Sequence, residues 1–241
     1  YEYDETSTVI TYFDAEGNPI ILSDGYSTIV RTQVDGRASD DFYYDLNGQQ
    51  VQCSGRYYGL HREYNSDGQN TSLTFLDKDG PAVCTSSGYA SKTYQRDGNG
   101  TVVGEQYFDT EGNPVRSLIG QYGELYQRNE QGYISQITYL DADGNPAPTN
   151  AGYTTLKRTY HRDGTADTDM YFDANGNPKA LSKGQYGIKR SGKVNLLLDR
   201  NGNVMPCVDN LLNGFPCMVV VFGCVVCLLM MVLPKSLSVV L

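Results

Sequence analysis

The chain has 241 residues, a formal charge of −9, 20 tyrosines and no tryptophan. Asp209 and Lys235 cancel, so the whole acidic balance lies in the region before residue 206, and it excludes a nucleic-acid binder, which needs a basic stripe to meet phosphates. Abundant tyrosine with little phenylalanine fits a β-rich protein whose thin cores keep one wet end on each ring.

In chain order the dominant signal is a repeat. Aspartates at Asp14, Asp45, Asp77, Asp109, Asp141, Asp173 and a divergent Asp199 recur in steps of 31, then 32 four times, then 26. Each opens similar wording, from YFDAEGNPI at the first to YFDTEGNPV at Asp109 and YFDANGNPK at Asp173. A glycine always stands three residues later, at Gly17, Gly48, Gly80, Gly112, Gly144 and Gly176. Such regularity marks tandem units, and a unit this short must stack on its neighbours to bury a core. In D-x-x-G-N-P the Asp side chain accepts from backbone N–H groups two residues on, Gly takes positive φ, and the step into proline forces an extended exit.

Two further punctuation points recur. Gly25, Gly88, Gly120, Gly152 and Gly184 fall eleven residues past their anchors, with Gly55 one position early, and a tyrosine follows each: Tyr26, Tyr57 or Tyr58, Tyr89, Tyr122, Tyr153 and Tyr186. Later in the unit, Asp35-Gly36, Asp67-Gly68, Asp97-Gly98, Gln131-Gly132 and Asp163-Gly164 supply another turn. The runs between turns, such as 27–34 and 154–160, are β-branched and aromatic with no helical period. The pattern predicts an all-β fold: an elongated antiparallel β-hairpin repeat array, a solenoid-like twisted meander, over residues 1–205.

After a linker at 206–214, residues 215–233 (FPCMVVVFGCVVCLLMMVL) carry no charge. Nineteen apolar residues match the length of a transmembrane α-helix, which predicts a membrane anchor, and Lys235 favours repeats outside with 234–241 opening a cytoplasmic segment. The chain opens in the second half of a unit and closes on apolar SLSVVL, which predicts a piece of a longer protein.

Chemistry-bearing residues are few. Cys53 and Cys84 occupy nearly the same place in consecutive units, eight and seven residues past their anchors, and are candidates for a disulfide in an oxidising compartment. Cys217, Cys224 and Cys227 read as small apolar residues of the membrane segment. Asp77-Lys78-Asp79-Gly80 and Asp141-Ala142-Asp143-Gly144 resemble the start of a calcium loop but lack its remaining ligands, so they read as turns and no metal is expected. His61 and His161 have no nucleophile setting near them, and the glycines follow the repeat and not a phosphate-binding strand-to-helix junction. No catalytic residue and no cofactor emerge, and the expectation is a protein that is not an enzyme. Tyr26, Tyr58, Tyr89, Tyr122, Tyr153 and Tyr186 are the candidate ligand-binding residues, since rings recurring at one position form either an inter-unit core or an exposed stripe suited to stacking on sugars.

The recurrent YFDxxGNPV, its Gly-Tyr step and its Tyr-x-x-Asp-Gly turn resemble the tyrosine- and aspartate-rich repeats of bacterial surface proteins of the RHS/YD type, here expanded to units of 32 residues. The resemblance covers roughly residues 1–205 and implies β-hairpin units, a bacterial cell-envelope location, and roles in display, adhesion or encapsulation. It carries no catalytic residue onto this chain. The resulting expectation is a membrane-anchored, extracytoplasmic repeat protein serving as a spacer or multivalent surface for cell-wall glycan or surface protein. The alternative is an accessory region of a larger envelope glycosyltransferase or polymer exporter.

Overall fold

The structure, a computed structural model, describes residues 2–3, 7–206 and 219–220. Fifteen strands follow one another: β1 Glu2–Tyr3, β2 Ser7–Thr11, β3 Thr28–Val34, β4 Arg37–Tyr44, β5 Gly59–Tyr64, β6 Asn70–Leu76, β7 Ser91–Arg96, β8 Val102–Phe108, β9 Gly123–Arg128, β10 Ile134–Leu140, β11 Thr155–Tyr160, β12 Ala166–Phe172, β13 Gly187–Ser191, β14 Val194–Leu198 and β15 Val219–Val220. They pair antiparallel in strict sequence order within one sheet, a meander as the repeat predicts. The expected strands at 27–34 and 154–160 are β3 and β11.

Two kinds of turn make the meander. At Asp109 the Oδ1 atom accepts from the N–H groups of Glu111 at 3.0 Å and Asn113 at 2.8 Å, and Gly112 closes the turn at φ 81°. That backbone region is one other residues enter only with strain, which is why glycine never varies there. The same pair of bonds recurs at Asp45, Asp141, Asp173 and Asp199. At the opposite sheet edge Asn65, Asp97 and Asn129 use their Oδ1 atoms in the same way. For the turns at Gly68 and Gly132 the accepting side chain thus stands two residues earlier than the Asp67 and Gln131 that the sequence pattern singles out.

Beyond each anchor turn the chain doubles back on the strand it has just left. Phe108 bridges Pro114, and the Val115 N–H donates to Tyr107 O at 3.0 Å. A second turn follows, with Ser117 N–H bonded to Gln121 O and Gly120 N–H to Ser117 O. These second turns form a flap along the sheet. Single backbone bonds join neighbouring turns: Ser54 N–H to Asp24 O, Ser86 to Gly55, Leu118 to Ser87 and Asn150 to Ile119.

The core lies where the flap meets the sheet. Ile29, Tyr43 and Cys53 pack with Ile10, Tyr12, Tyr26, Val51, Tyr57 and Leu60 in one cluster drawn from strands and flap together. Along the array, rings two residues before each anchor alternate with rings twelve residues after it. The column runs Tyr12, Tyr26, Tyr43, Tyr57, Phe75, Tyr89, Tyr107, with centroids between 4.4 and 6.2 Å apart. It breaks at Gln121 and resumes as Tyr139, Tyr153, Tyr171. Each ring pair adds about 0.5–1.5 kcal/mol beyond the area it buries, so the column holds unit to unit.

Two expectations meet this fold differently. Cys53 and Cys84, the candidates for a disulfide, are free thiols, Cys53 buried in the ring cluster and Cys84 exposed. Of the expected membrane helix at 215–233 only Val219–Val220 are described, as a strand paired with Val194 and Asn195, and the rest lies outside the described residues. Among the described residues no helix is long and apolar enough to cross a membrane.

Candidate functional site

The six candidate tyrosines fall into two sets. Tyr26, Tyr89 and Tyr153 belong to the ring column, with Tyr26 stacked on Tyr43 at 4.5 Å and Tyr89 on Tyr107 at 4.4 Å, so one face of each of these two rings is occupied, while Tyr153 meets Tyr139 edge-on and Tyr171 at a tilt. Tyr58, Tyr122 and Tyr186 come one residue later and are half-buried. Their backbones lock adjacent strand pairs together: Tyr58 N–H donates to Leu76 O and Tyr58 O accepts from Tyr43 N–H, and Tyr122 and Tyr186 repeat both bonds. In the second unit the column takes Tyr57, not Tyr58. The Arg116 guanidinium lies 5.5 Å from the Tyr122 ring centre.

The sequence reading missed an acid, buried or half-buried, in every second strand pair. Four residues before alternate anchors stand Asp41, Glu105 and Asp169, where the intervening units carry Leu73 and Ile137. Asp41, 2% exposed, is held by Arg31 Nε at 2.6 Å and Arg62 Nη2 at 2.7 Å. Asp169, 3% exposed, is held at the same distances by Arg158 and Arg190. Burial alone would raise both carboxyls, but the arginine hydrogen bonds outweigh it and hold them below the usual carboxylate range.

At the middle of the array tyrosines replace those arginines. Glu105 faces Glu124 directly across β8 and β9. Glu105 accepts from Tyr107 Oη at 2.8 Å and Lys92 Nζ at 3.0 Å, and Glu124 from Gln121 Nε2 and Tyr126 Oη, each at 3.1 Å. Burial, and then Glu105, push the Glu124 carboxyl up, and burial, then Glu124, push the Tyr107 hydroxyl up. The cluster sits at the break in the ring column, where Gln121 stands in place of a tyrosine. Every carboxylate in it already has protein donors, so it serves cohesion. A cross-strand comparison at ten- and twenty-one-residue spacing would have exposed the Arg31–Asp41–Arg62 pattern in the sequence.

Both histidines pair with aspartates: His61 Nδ1 with Asp40 at 2.8 Å and His161 Nε2 with Asp167 at 3.5 Å. Among the described residues no group of three or more His, Cys, Asp or Glu could hold a metal.

Two open clefts lie along the sheet. One cleft of about 500 Å³ includes Thr11, Ser27, Thr28 and Tyr44 in its lining and is bounded by Gly48 of the next anchor turn. A second, of about 560 Å³, occurs further along, with Gln106, Leu125, Leu140 and Gly144. Gln106 matches Thr11, Leu125 matches Val30, Leu140 matches Tyr44 and Gly144 matches Gly48 in the repeat, so the clefts share part of their lining, while the second adds Thr93, Tyr94, Gln95 and Glu105. The copies differ in chemistry. The first is lined by hydroxyls and a ring, while in the second Gln106 Nε2 reaches the Ala142 carbonyl of the turn at 3.4 Å.

No protein-family model matches this chain, and no curated protein matches it. Among solved structures, alternansucrase in complex with isomaltononaose is similar at 21% identity over 77% of this chain, which spans 16% of that protein's length, and the TM-score of 0.13 is too low to bear on fold or function.

Proposed function

We propose that the chain is a membrane-anchored, extracytoplasmic repeat protein whose array acts as a spacer and as a multivalent binding surface for envelope carbohydrate. The observation that carries this reading is that two open clefts share four lining positions of the repeat. Sites that are weak singly add through effective concentration when a fixed scaffold spaces them along a polymer. An antiparallel sheet advances about 4.8 Å per strand, so the two clefts, three two-strand units apart, lie roughly 29 Å from each other, a span one polysaccharide chain can bridge. The apolar run at 215–233 supplies the anchor in this reading, with the repeats on the outer side.

Co-sedimentation of the full chain with purified cell-wall polysaccharide tests the binding half. Retention that soluble oligosaccharides compete away supports it, and absence of retention on any wall preparation removes it and leaves the spacer role. Membrane association that survives deletion of 215–233 would remove the anchor.

A further inference from the structure

We propose that Asn99, at the tip of the turn joining β7 to β8, is the acceptor of an N-linked glycan, its side-chain amide nitrogen taking an oligosaccharide from a polyprenyl diphosphate donor. The inference rests on the outer location of the repeats read above, because acceptors of this kind belong to secreted chains.

The chain has two stretches of the form Asn-x-Ser/Thr with no proline between, Asn70-Thr71-Ser72 and Asn99-Gly100-Thr101. The wording alone does not choose between them; the fold does. Asn70 opens β6 half-buried, and its Nδ2 donates to Glu63 O at 3.2 Å and to Ser72 O at 3.1 Å, which spends both amide protons. Ser72 pairs with Glu63 on one side and Thr93 on the other, and its Oγ donates to Glu63 Oε2 at 2.6 Å. A transferase reaches that amide only by pulling β6 out of the sheet.

Asn99 is the reverse case. Asp97, Gly98, Asn99 and Thr101 are all exposed. Asp97 Oδ1 accepts from the N–H groups of Asn99 and Thr101, each at 2.9 Å, and Gly100 N–H closes the turn on Asp97 O at 3.0 Å with φ 82°. Backbone N–H groups and one carboxylate hold this turn, so the acceptor side chains are left out of it. Among the described residues neither the Asn99 amide nor the Thr101 hydroxyl has a hydrogen-bond partner. Gly100 puts no side chain between them. The matching turns of other units carry Asp67, Gln131 and Asp163 at the place of Asn99, so one unit of the array is singled out.

The transfer is redox-neutral. Asn99 Nδ2 bonds to the anomeric carbon of the first sugar, and the bond from that carbon to the diphosphate oxygen breaks. Its electron pair leaves with the polyprenyl diphosphate, and one amide proton passes to a base of the transferase. A bulky hydrated chain then stands off the sheet edge opposite the anchor turns.

The test incubates the purified full chain with a single-subunit oligosaccharyltransferase that requires only Asn-x-Ser/Thr and with its lipid-linked donor, and reads intact mass and the modified peptide. Synthetic peptides of residues 65–76 and 94–105 serve as unfolded comparisons. Both peptides should be modified, whereas the folded chain should gain the mass of one glycan, on Asn99. Asn99→Gln and Thr101→Val should each abolish that gain, and Asn70→Gln should leave it. A bare folded chain beside a modified 94–105 peptide would overturn the acceptor site and leave the outer location untouched. Equal occupancy of Asn70 and Asn99 in the folded chain would overturn the selection by the fold. Glycan on Asn99 in vitro, with none when the chain is made in cells carrying the same transferase, would contradict the outer location and support the acceptor site.

Discussion

Arg62 on β5 donates to the buried carboxylate of Asp41 on β4 at 2.7 Å, so a single ion pair crosses from one strand pair to the next. Arg31 grips the same carboxylate from the other side, with Nε on Oδ1 at 2.6 Å and Nη2 on Oδ2 at 2.9 Å. Asp41→Ala removes the shared acceptor and leaves two guanidinium groups facing each other across it. Breaking a buried pair costs on the order of 3–5 kcal/mol, and the partial exposure of both arginines puts this case near the low end. Chemical denaturation should show a loss of about 3 kcal/mol, and Asp169→Ala should match it. A loss under 1 kcal/mol at both sites would contradict the role assigned to these clamps.

The middle of the array should respond to pH in the opposite sense. Glu124 is raised above its ordinary 4.5 by burial first and by Glu105 second, so the folded state binds its proton more tightly than the unfolded state does. The cost of keeping it ionised is present above the raised value and disappears as pH falls toward 4.5. Asp41 and Asp169 are depressed below their ordinary 3.8, so the stability they contribute is present above 3.8 and is lost as pH falls through the folded values. Hydrogen exchange corrected for intrinsic rates should therefore show β8 and β9 gaining protection as pH falls toward 4.5 while β3–β5 and β11–β13 stay constant above 3.8. Uniform behaviour along the sheet would contradict this.

The anchor turns are not equivalent, and proline explains the exception. Asp109 accepts from the N–H groups two and four residues on, but four residues past Asp77 stands Pro81, which has no N–H to give. Asp109→Ala should lower the melting temperature, and Asp77→Ala should leave it nearly unchanged. Equal losses at the two positions would show that the aspartates act through something other than these bonds.

Thiol chemistry separates the two repeat cysteines. Cys84 should alkylate in native buffer and Cys53 only in denaturant, because one is exposed and the other lies in the ring cluster. Peptide mapping after alkylation reads both sites, and a peptide linking Cys53 to Cys84 in unreduced protein would contradict the free thiols.

Much of this fold was legible as text. The step of the anchor aspartates and the D-x-x-G wording are local, since every bond of the Asp109 turn lies within four residues, and they gave the strands, their order and the turns. What stayed hidden depends on register. Tyr57 and Tyr58 are adjacent and chemically alike, and only the approach of Tyr43 and Phe75 selects Tyr57 for the column. The clamp on Asp41 joins residues ten and twenty-one positions apart on three strands, a pattern visible only once β3, β4 and β5 are aligned. The first cleft was invisible for the same reason, since its walls come from β2, β3, the end of β4 and the following turn.

The central proposal is that the array binds envelope carbohydrate through more than one shallow cleft. Affinity of the full chain for an envelope glycan as a function of glycan length tests it most directly. The account predicts measurable binding to a short oligomer and a steep rise once the glycan spans both clefts, roughly 29 Å apart. Affinity that does not change with length, or no binding at any length, would contradict it.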